Sequence, residues 1–199
     1  DLRAWSRLWL ETAGVSTLRP VLEVDDRGLI ASAVIEQTCA PGFETVRPHT
    51  LNVGLYAVRD GALHRTDVIA VDVDGAVTEV TELIGREQPD LLLVNDDDLT
   101  YAKVRLDEVS LATAIAHPRG FADALPRALV LGAAWDMTRD AEMRPRDFVR
   151  LALDALEGES NSTLLRMLLN QLASTLTLYV DPAAREDLRR DAARRIVAL

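Results

Sequence analysis

The sequence predicts a mainly-β domain, an antiparallel, immunoglobulin-like sandwich of about seven strands, followed by an all-α segment of solenoid-like (HEAT/armadillo-type) helix pairs. Three observations predict it. Apolar residues recur at every second position between Pro20 and Asp107, where Val and Ile are abundant. Turn residues punctuate that stretch at Asp25-Asp26-Arg27-Gly28, Asp60-Gly61 and Asp74-Gly75. After Asp107 the period becomes that of a helix, and no strand pattern returns.

Leu2, Trp5, Leu8 and Trp9 stand three and four residues apart, which predicts a short helix over Leu2 to Thr12, stopped by Gly14 ahead of Pro20. The chain opens on Asp1, inside this helical pattern and without an initiator methionine, which predicts a segment cut or processed from a longer protein. In the strand region each Gly-containing turn supplies positive φ for a tight hairpin, so each is expected to join neighbouring antiparallel strands. Leu51, Val53, Leu55 and Ala57 alternate with Asn52, Gly54, Tyr56 and Val58, while Val68, Ala70 and Val73 stand among Thr66, Asp67 and Asp72. One face of these strands is therefore expected to be buried. Runs at Leu91 to Val94 and Tyr101 to Leu106 complete the set.

Five helices are predicted beyond Asp107: Glu108 to Ala116, Ala124 to Arg139, Pro145 to Glu157, Ser162 to Val180 and Pro182 to Val197. Pro118 and Gly120 separate the first two, Pro145 suits a first helical turn, Gly158 closes the third, and Asp181-Pro182 offers a cap followed by Pro at the first position. Phe148, Leu151, Ala152, Ala155 and Leu156 form one apolar stripe; Leu164, Leu165, Leu168, Leu169, Leu172 and Leu176 form a wider one. Such helix pairs, joined by short loops, bury each face on the next pair, and a last helix without a neighbour exposes apolar surface.

Of 199 residues, 48% are hydrophobic, enough for one large core or two modest ones. Acidic side chains number 32 against 22 basic ones, so the net charge of -10 repels phosphate backbones and anionic lipid surfaces. Nucleic-acid and membrane partners are disfavoured. Cys39 is the only cysteine, which excludes an internal disulfide and suits a reducing, cytoplasmic setting. No apolar stretch approaches the roughly 20 residues that span a bilayer.

A zinc peptidase needs two imidazoles at i and i+4 on a helix with a Glu beside them. His49, His64 and His117 lie 15 and 53 residues apart and read as turn or surface histidines. Ser6, Ser32 and Ser110 stand in ordinary helix, strand or cap contexts without a G-x-S-x-G elbow. Cys39, just after a strand, reads as small buried filler. Asn95-Asp96-Asp97-Asp98 is the densest carboxylate cluster, but it lacks the alternating ligands, central Gly and distant Glu of a calcium loop, and reads as a turn. Arg185, Arg189, Arg190, Arg194 and Arg195 make one side of the last helix basic, either a docking stripe for an acidic partner or a solvated face. No catalytic, cofactor-binding or metal residue is assigned.

Three stretches together resemble the aminopeptidase N-type zinc metallopeptidases, the gluzincin aminopeptidase family. Ala4-Trp5-Ser6-Arg7-Leu8-Trp9-Leu10-Glu11-Thr12-Ala13-Gly14 is similar to the helix that ends the family's catalytic domain. Asn95 and Tyr101-Ala102-Lys103-Val104-Arg105-Leu106-Asp107 are similar to its last sandwich strand; the single tyrosine departs from the usual pair and resembles the actinobacterial form. Ala134-Trp135-Asp136-Met137-Thr138-Arg139-Asp140, with Met143 and Phe148, resembles an early helix of its helical C-terminal domain. The resemblance implies three parts: 1–19 as the terminal helix of a preceding catalytic domain with its linker, 20–107 as the sandwich, and 108–199 as the N-terminal part of the helical domain. It implies a parent exopeptidase that carries zinc, acts on peptide N-termini, and keeps its zinc ligands and catalytic Tyr in a preceding segment. This part would hold no cofactor of its own, would meet the catalytic domain of the same chain, and would space and cover the active site. A free-standing protein-interaction adaptor is the rival reading that composition permits, and a lyase or hydrolase with an unrecognised site is a third.

Overall fold

The computed structural model describes residues 2–199; the expectation placed on Asp1 lies outside them. The chain divides into two compact units, one reaching to Ala57 and resuming over Arg65–Leu111, the other formed by Val58–His64 with Ala112–Leu199.

In the first unit, helix α1 (Leu2–Leu10) precedes strands β1 (Ser16–Val24), β2 (Ile30–Cys39), β3 (His49–Arg59), β4 (Ala62–Val73), β5 (Val77–Glu79), β6 (Leu91–Asp96) and β7 (Lys103–Val104). They form two sheets, ordered β5-β2-β1-β7 and β4-β3-β6. The period-2 pattern turns one row of side chains inward from each sheet. Leu18, Ile30, Ala33 and Ile35 thus join Leu51, Val53, Leu55, Val71, Val73, Leu92 and Val94 in one apolar cluster.

Two of the three predicted turns are hairpins. Asp25 Oδ1 accepts from the N–H groups of Arg27 and Leu29, closing the β1–β2 turn, and Asp60 and Gly61 both take positive φ, 53° and 79°, between β3 and β4. The third is corrected. Asp74-Gly75 leads from β4 in one sheet to β5 in the other, where Val77–Glu79 pairs antiparallel with β2. The sheet is also mixed rather than wholly antiparallel, because β7 runs parallel to β1 through Thr17–Lys103 and Leu18–Val104. The predicted Tyr101 to Leu106 strand shrinks to two residues. Asn95 holds both the N–H and the C=O of Thr100 with its side-chain amide, and this closes a loop that keeps Tyr101 out of the ladder.

Helix α2 (Glu108–Ala116) follows, with the Asp107 carboxylate accepting from the N–H groups of Val109 and Ser110 at its start. The second unit continues with α3 (Ala124–Arg139), α4 (Pro145–Leu156), α5 (Ser162–Ser174) and α6 (Pro182–Val197). Phe148, Val149, Leu151, Ala152, Leu153, Ala155 and Leu156 of α4 are all buried, and α4 packs on α3, α5 and α6. The single helix predicted over Ser162 to Val180 instead ends in a π-helical turn, Thr175–Tyr179. Ser174, Thr175 and Thr177 each donate a hydroxyl to the carbonyl four residues back, and this competition with the backbone accompanies the widened turn. Val197 and Leu199 are exposed near the end of α6. No helix among the described residues is long and apolar enough to cross a membrane.

Candidate functional site

The strand pattern leads directly to one polar assembly. Arg47 and His49 continue the inward phase of Leu51, Val53 and Leu55, and Gln37 continues that of Ala33 and Ile35; all three are buried. Buried polar groups need partners, and these find one another. The Gln37 amide donates to the carbonyls of Arg47 and Gly75, while its oxygen accepts from Ser16 Oγ and the Arg47 N–H.

That fixed amide sets the tautomer of His49. Its Nε2 lies 3.3 Å from the Gln37 oxygen, so Nε2 carries the proton, and Nδ1 accepts from Thr100 Oγ1 at 2.7 Å. Burial first, and the neighbouring Arg47 cation second, push the His49 pKa below the ordinary imidazole range. The Arg47 guanidinium donates to Leu8 O (2.9 Å), Thr12 O (3.2 Å), Thr12 Oγ1 (2.7 Å) and Ala13 O (3.1 Å). It thereby satisfies the orphan carbonyls at the negative end of α1. Trp9 stacks on Trp5, presents its ring 5.6 Å from the guanidinium, and meets the His49 ring edge-on at 5.2 Å.

Trp5, Trp9 and His49 border a groove of about 860 Å³, lined also by Pro48, Thr50, Asp72, Val73, Asp74, Leu99, Thr100 and Tyr101. Its walls are apolar and its charged rim is acidic. Thr50 Oγ1 holds the Asp72 carboxylate at 2.6 Å.

A second assembly surrounds Asp96. Tyr56 Oη donates to both carboxylate oxygens at 3.0 Å, and Arg65 Nη1 bridges Asp96 and Asp97 at 3.2 and 3.0 Å. Burial and the Asp96 charge raise the Tyr56 pKa, keeping the phenol a donor. Asn52 and Arg65 hold the Asp97 carboxyl below its usual range. Asn95, Asp97 and Asp98 take positive φ, the conformation that Asx residues tolerate in turns. The carboxylate cluster singled out by sequence is thus part of a turn with internal partners. In the helical unit Arg127 forks onto Glu159, Nε to Oε2 at 2.7 Å and Nη2 to Oε1 at 3.1 Å. Burial works against the Glu159 charge, but Arg127 and the Asn161 N–H hold its pKa below the ordinary value.

The other candidates are dispersed. His64 lies in β4 and His117 just beyond α2. Ser6 lies in α1, Ser32 in β2, and Ser110 Oγ accepts from the Leu92 N–H while donating to Asp107. Cys39 ends β2, where it is half-buried rather than buried filler, and donates to Thr45 O at 3.3 Å. The α6 arginines are engaged at home: Arg190 with Glu186 and Asp187, Arg194 with Asp191, Arg195 with Asp154 and Glu157, Arg185 with Val180 O, Arg189 with Thr177. That arrangement fits the solvated face rather than a docking stripe. Sequence reasoning missed Arg47 and Gln37, whose signal was their phase in the alternation.

The profile of the ERAP1-like C-terminal domain family matches residues 91–198. The chain is 46% identical over 196 residues to a protein of Streptomyces lividans, Aminopeptidase N, covering 94% of this chain and 23% of that protein. The crystal structure of Legionella pneumophila aminopeptidase A in complex with aspartic acid superposes with a TM-score of 0.53 at 15% identity, over 98% of this chain and 23% of that one. That likeness shows the fold alone. The chain spans about a quarter of the length of the proteins it matches.

Proposed function

The chain belongs to the ERAP1-like C-terminal domain family, and from that premise we propose that it is the non-catalytic C-terminal part of a cytoplasmic zinc aminopeptidase. The single observation that carries this reading is the family match over 91–198, which runs from β6 to the end of α6. The 46% identity to an Aminopeptidase N supports the same parent.

In this reading 1–19 ends the catalytic domain, 20–107 is a β-sandwich spacer, and 108–199 begins a solenoid-like bowl that covers the active site and limits which peptides reach it. The two sheets around one apolar cluster and the stack of α3 to α6 on the α4 hub support that division of labour. Peptides, rather than nucleic acid or membranes, are the partners. Zinc chemistry belongs to the parent's catalytic domain. The residues of this chain do not fit a zinc site: both ring nitrogens of His49 are committed, and among the described residues no three His, Cys, Asp or Glu side chains gather as metal ligands.

The test is an assay of this chain alone with an aminoacyl chromogenic substrate, coupled to zinc analysis. Background turnover and no stoichiometric metal are expected; robust turnover with one bound zinc overturns the reading. Sequencing the coding region upstream of Asp1 is the second test. An H-E-x-x-H there supports the peptidase, and a start codon immediately before Asp1 supports the adaptor.

A further inference from the structure

Five arginines line α6, and two of them differ from the rest in their partners. Arg190, Arg194 and Arg195 are paired with carboxylates. Arg185 and Arg189 turn instead toward the π turn, Thr175–Tyr179, and the residue after it, where they meet only neutral groups. Arg185 Nη2 donates to Val180 O at 3.1 Å, while its Nε is buried with no partner. Arg189 Nη2 reaches Thr177 Oγ1 at 3.4 Å, the long end of hydrogen-bond distance. That hydroxyl already donates to Ala173 O, so it meets Arg189 with a lone pair.

This arrangement is unfavourable twice over. Two cations stand at i and i+4 on one helix, where like charges repel, and a buried donor is left unmade. The acids beside them on α6 are committed elsewhere: Asp181 caps the Ala183 N–H, and Glu186 and Asp187 hold Arg190. The local field does not repel an anion, because the excess acid lies earlier in the chain and residues 112–199 carry 12 acidic and 12 basic side chains. Both arginines point back at the turn that closes their own helix pair, so the cluster is complete within residues 173–189.

We propose that Arg185 and Arg189 form a binding site for a small tetrahedral oxyanion of the phosphate class. An oxyanion set between them neutralises both cations. Rotated onto it, Arg185 gains two acceptors for the Nε and Nη2 fork that a single carbonyl cannot satisfy, and Arg189 exchanges a long bond for a charge-assisted one. Thr177 is exposed beside them, and its hydroxyl can turn from Ala173 O to donate to the same anion. Free inorganic phosphate and a phosphoryl group carried on a larger molecule share this chemistry.

The inference goes beyond the aminopeptidase reading and does not rest on it, since its test reads binding and no turnover. The whole chain is titrated with inorganic phosphate at low millimolar concentration, against chloride at equal ionic strength, while NMR follows the Nε–H resonances of Arg185 and Arg189. Saturable shifts of both are expected with phosphate and none with chloride. Arg185→Gln and Arg189→Gln should each weaken binding about tenfold, the loss of one charge-assisted pair. Arg194→Gln, whose cation is held by Asp191, should leave binding unchanged. Methyl phosphate separates the two sources: tighter binding than phosphate assigns the site to a carried phosphoryl group, and weaker binding assigns it to the free anion. In phosphate-free buffer Arg189→Gln should melt no lower than the parent, because it relieves the repulsion between the two cations; this variant decides if Arg185→Gln fails to fold. Equal shifts with chloride, undiminished binding in Arg189→Gln, an equal loss in Arg194→Gln, or a lower melting temperature of Arg189→Gln without phosphate overturns the proposal.

Discussion

The pressure of single side chains on one another is greatest around Asp96. A methyl group added at Gly54 would lie 2.1 Å from Asp96 Oδ2, 2.7 Å from its Cγ and 2.9 Å from Tyr56 Cε2. The carboxylate cannot retreat without losing Tyr56 and Arg65, so Gly54→Ala should destabilise the chain by about 1–3 kcal/mol, the usual range for overpacking. A denaturant midpoint equal to that of the parent would refute it. Tyr56→Phe should cost about 1–3 kcal/mol by the same measurement, because it removes the phenol that donates to both oxygens of the buried Asp96 carboxylate. Glu159 gives a pH signature. Its pKa is lowered in the folded chain, so its contribution is present above the ordinary carboxylate value of about 4.3 and fades as pH falls through the lowered one. Glu159→Gln should therefore be less stable than the parent at neutral pH and converge with it in acid. Parallel stability curves down to pH 2 would remove Glu159 from that role.

Helices were legible in the sequence because their ends carry local chemistry: Pro145 and Pro182 at first turns, Asp181 as a cap. The departures arise where the outcome depends on distant partners or on several weak bonds at once. Asp74-Gly75 has the composition of a hairpin, yet which sheet receives β5 is decided by β2, about 40 residues earlier in the chain. The π turn after α5 reflects three hydroxyls that each read, one at a time, as an ordinary helix residue. His49 read as a turn or surface histidine and is corrected to a buried one, because its odd-numbered position continues the inward row of Leu51 and Val53; alternation could have placed Arg47, His49 and Gln37 inward, but not told whom they meet. The aminopeptidase kinship was read from three spaced motifs, and those at 95–107 and 134–148 fall within the matched family region, 91–198. The Asp60-Gly61 turn can be tested directly. Gly61 stands in a two-residue hairpin with φ of 79°, so Gly61→Ala should cost about 1–2 kcal/mol through left-handed strain. Equal stability of Gly61→Ala and the parent in urea would show that the turn relaxes without cost.

At the scale of the molecule, the change of period at Asp107 marks where strand chemistry gives way to helix, but compactness follows contacts rather than period. The tip of the β3–β4 hairpin, Val58–His64, groups with the helices. Leu63 is the reason: its N–H donates to Gly120 O at 2.8 Å, it forms a bridge with Phe121, and its side chain is buried, with Cδ1 3.1 Å from where a Gly120 methyl would stand. A helical fragment that starts at Ala112 therefore lacks part of its own core. Leu63→Ala in the whole chain should destabilise the helical unit by about 2–5 kcal/mol, as for other buried leucines. Residues 112–199 made alone should lose their helical circular dichroism at lower temperature than the same helices in the full chain. The contrast is sharpest with both samples followed by their helical ellipticity. If the fragment and the full chain lose helix together, and Leu63→Ala leaves that transition in place, then the hairpin tip rests beside the helices without supporting them.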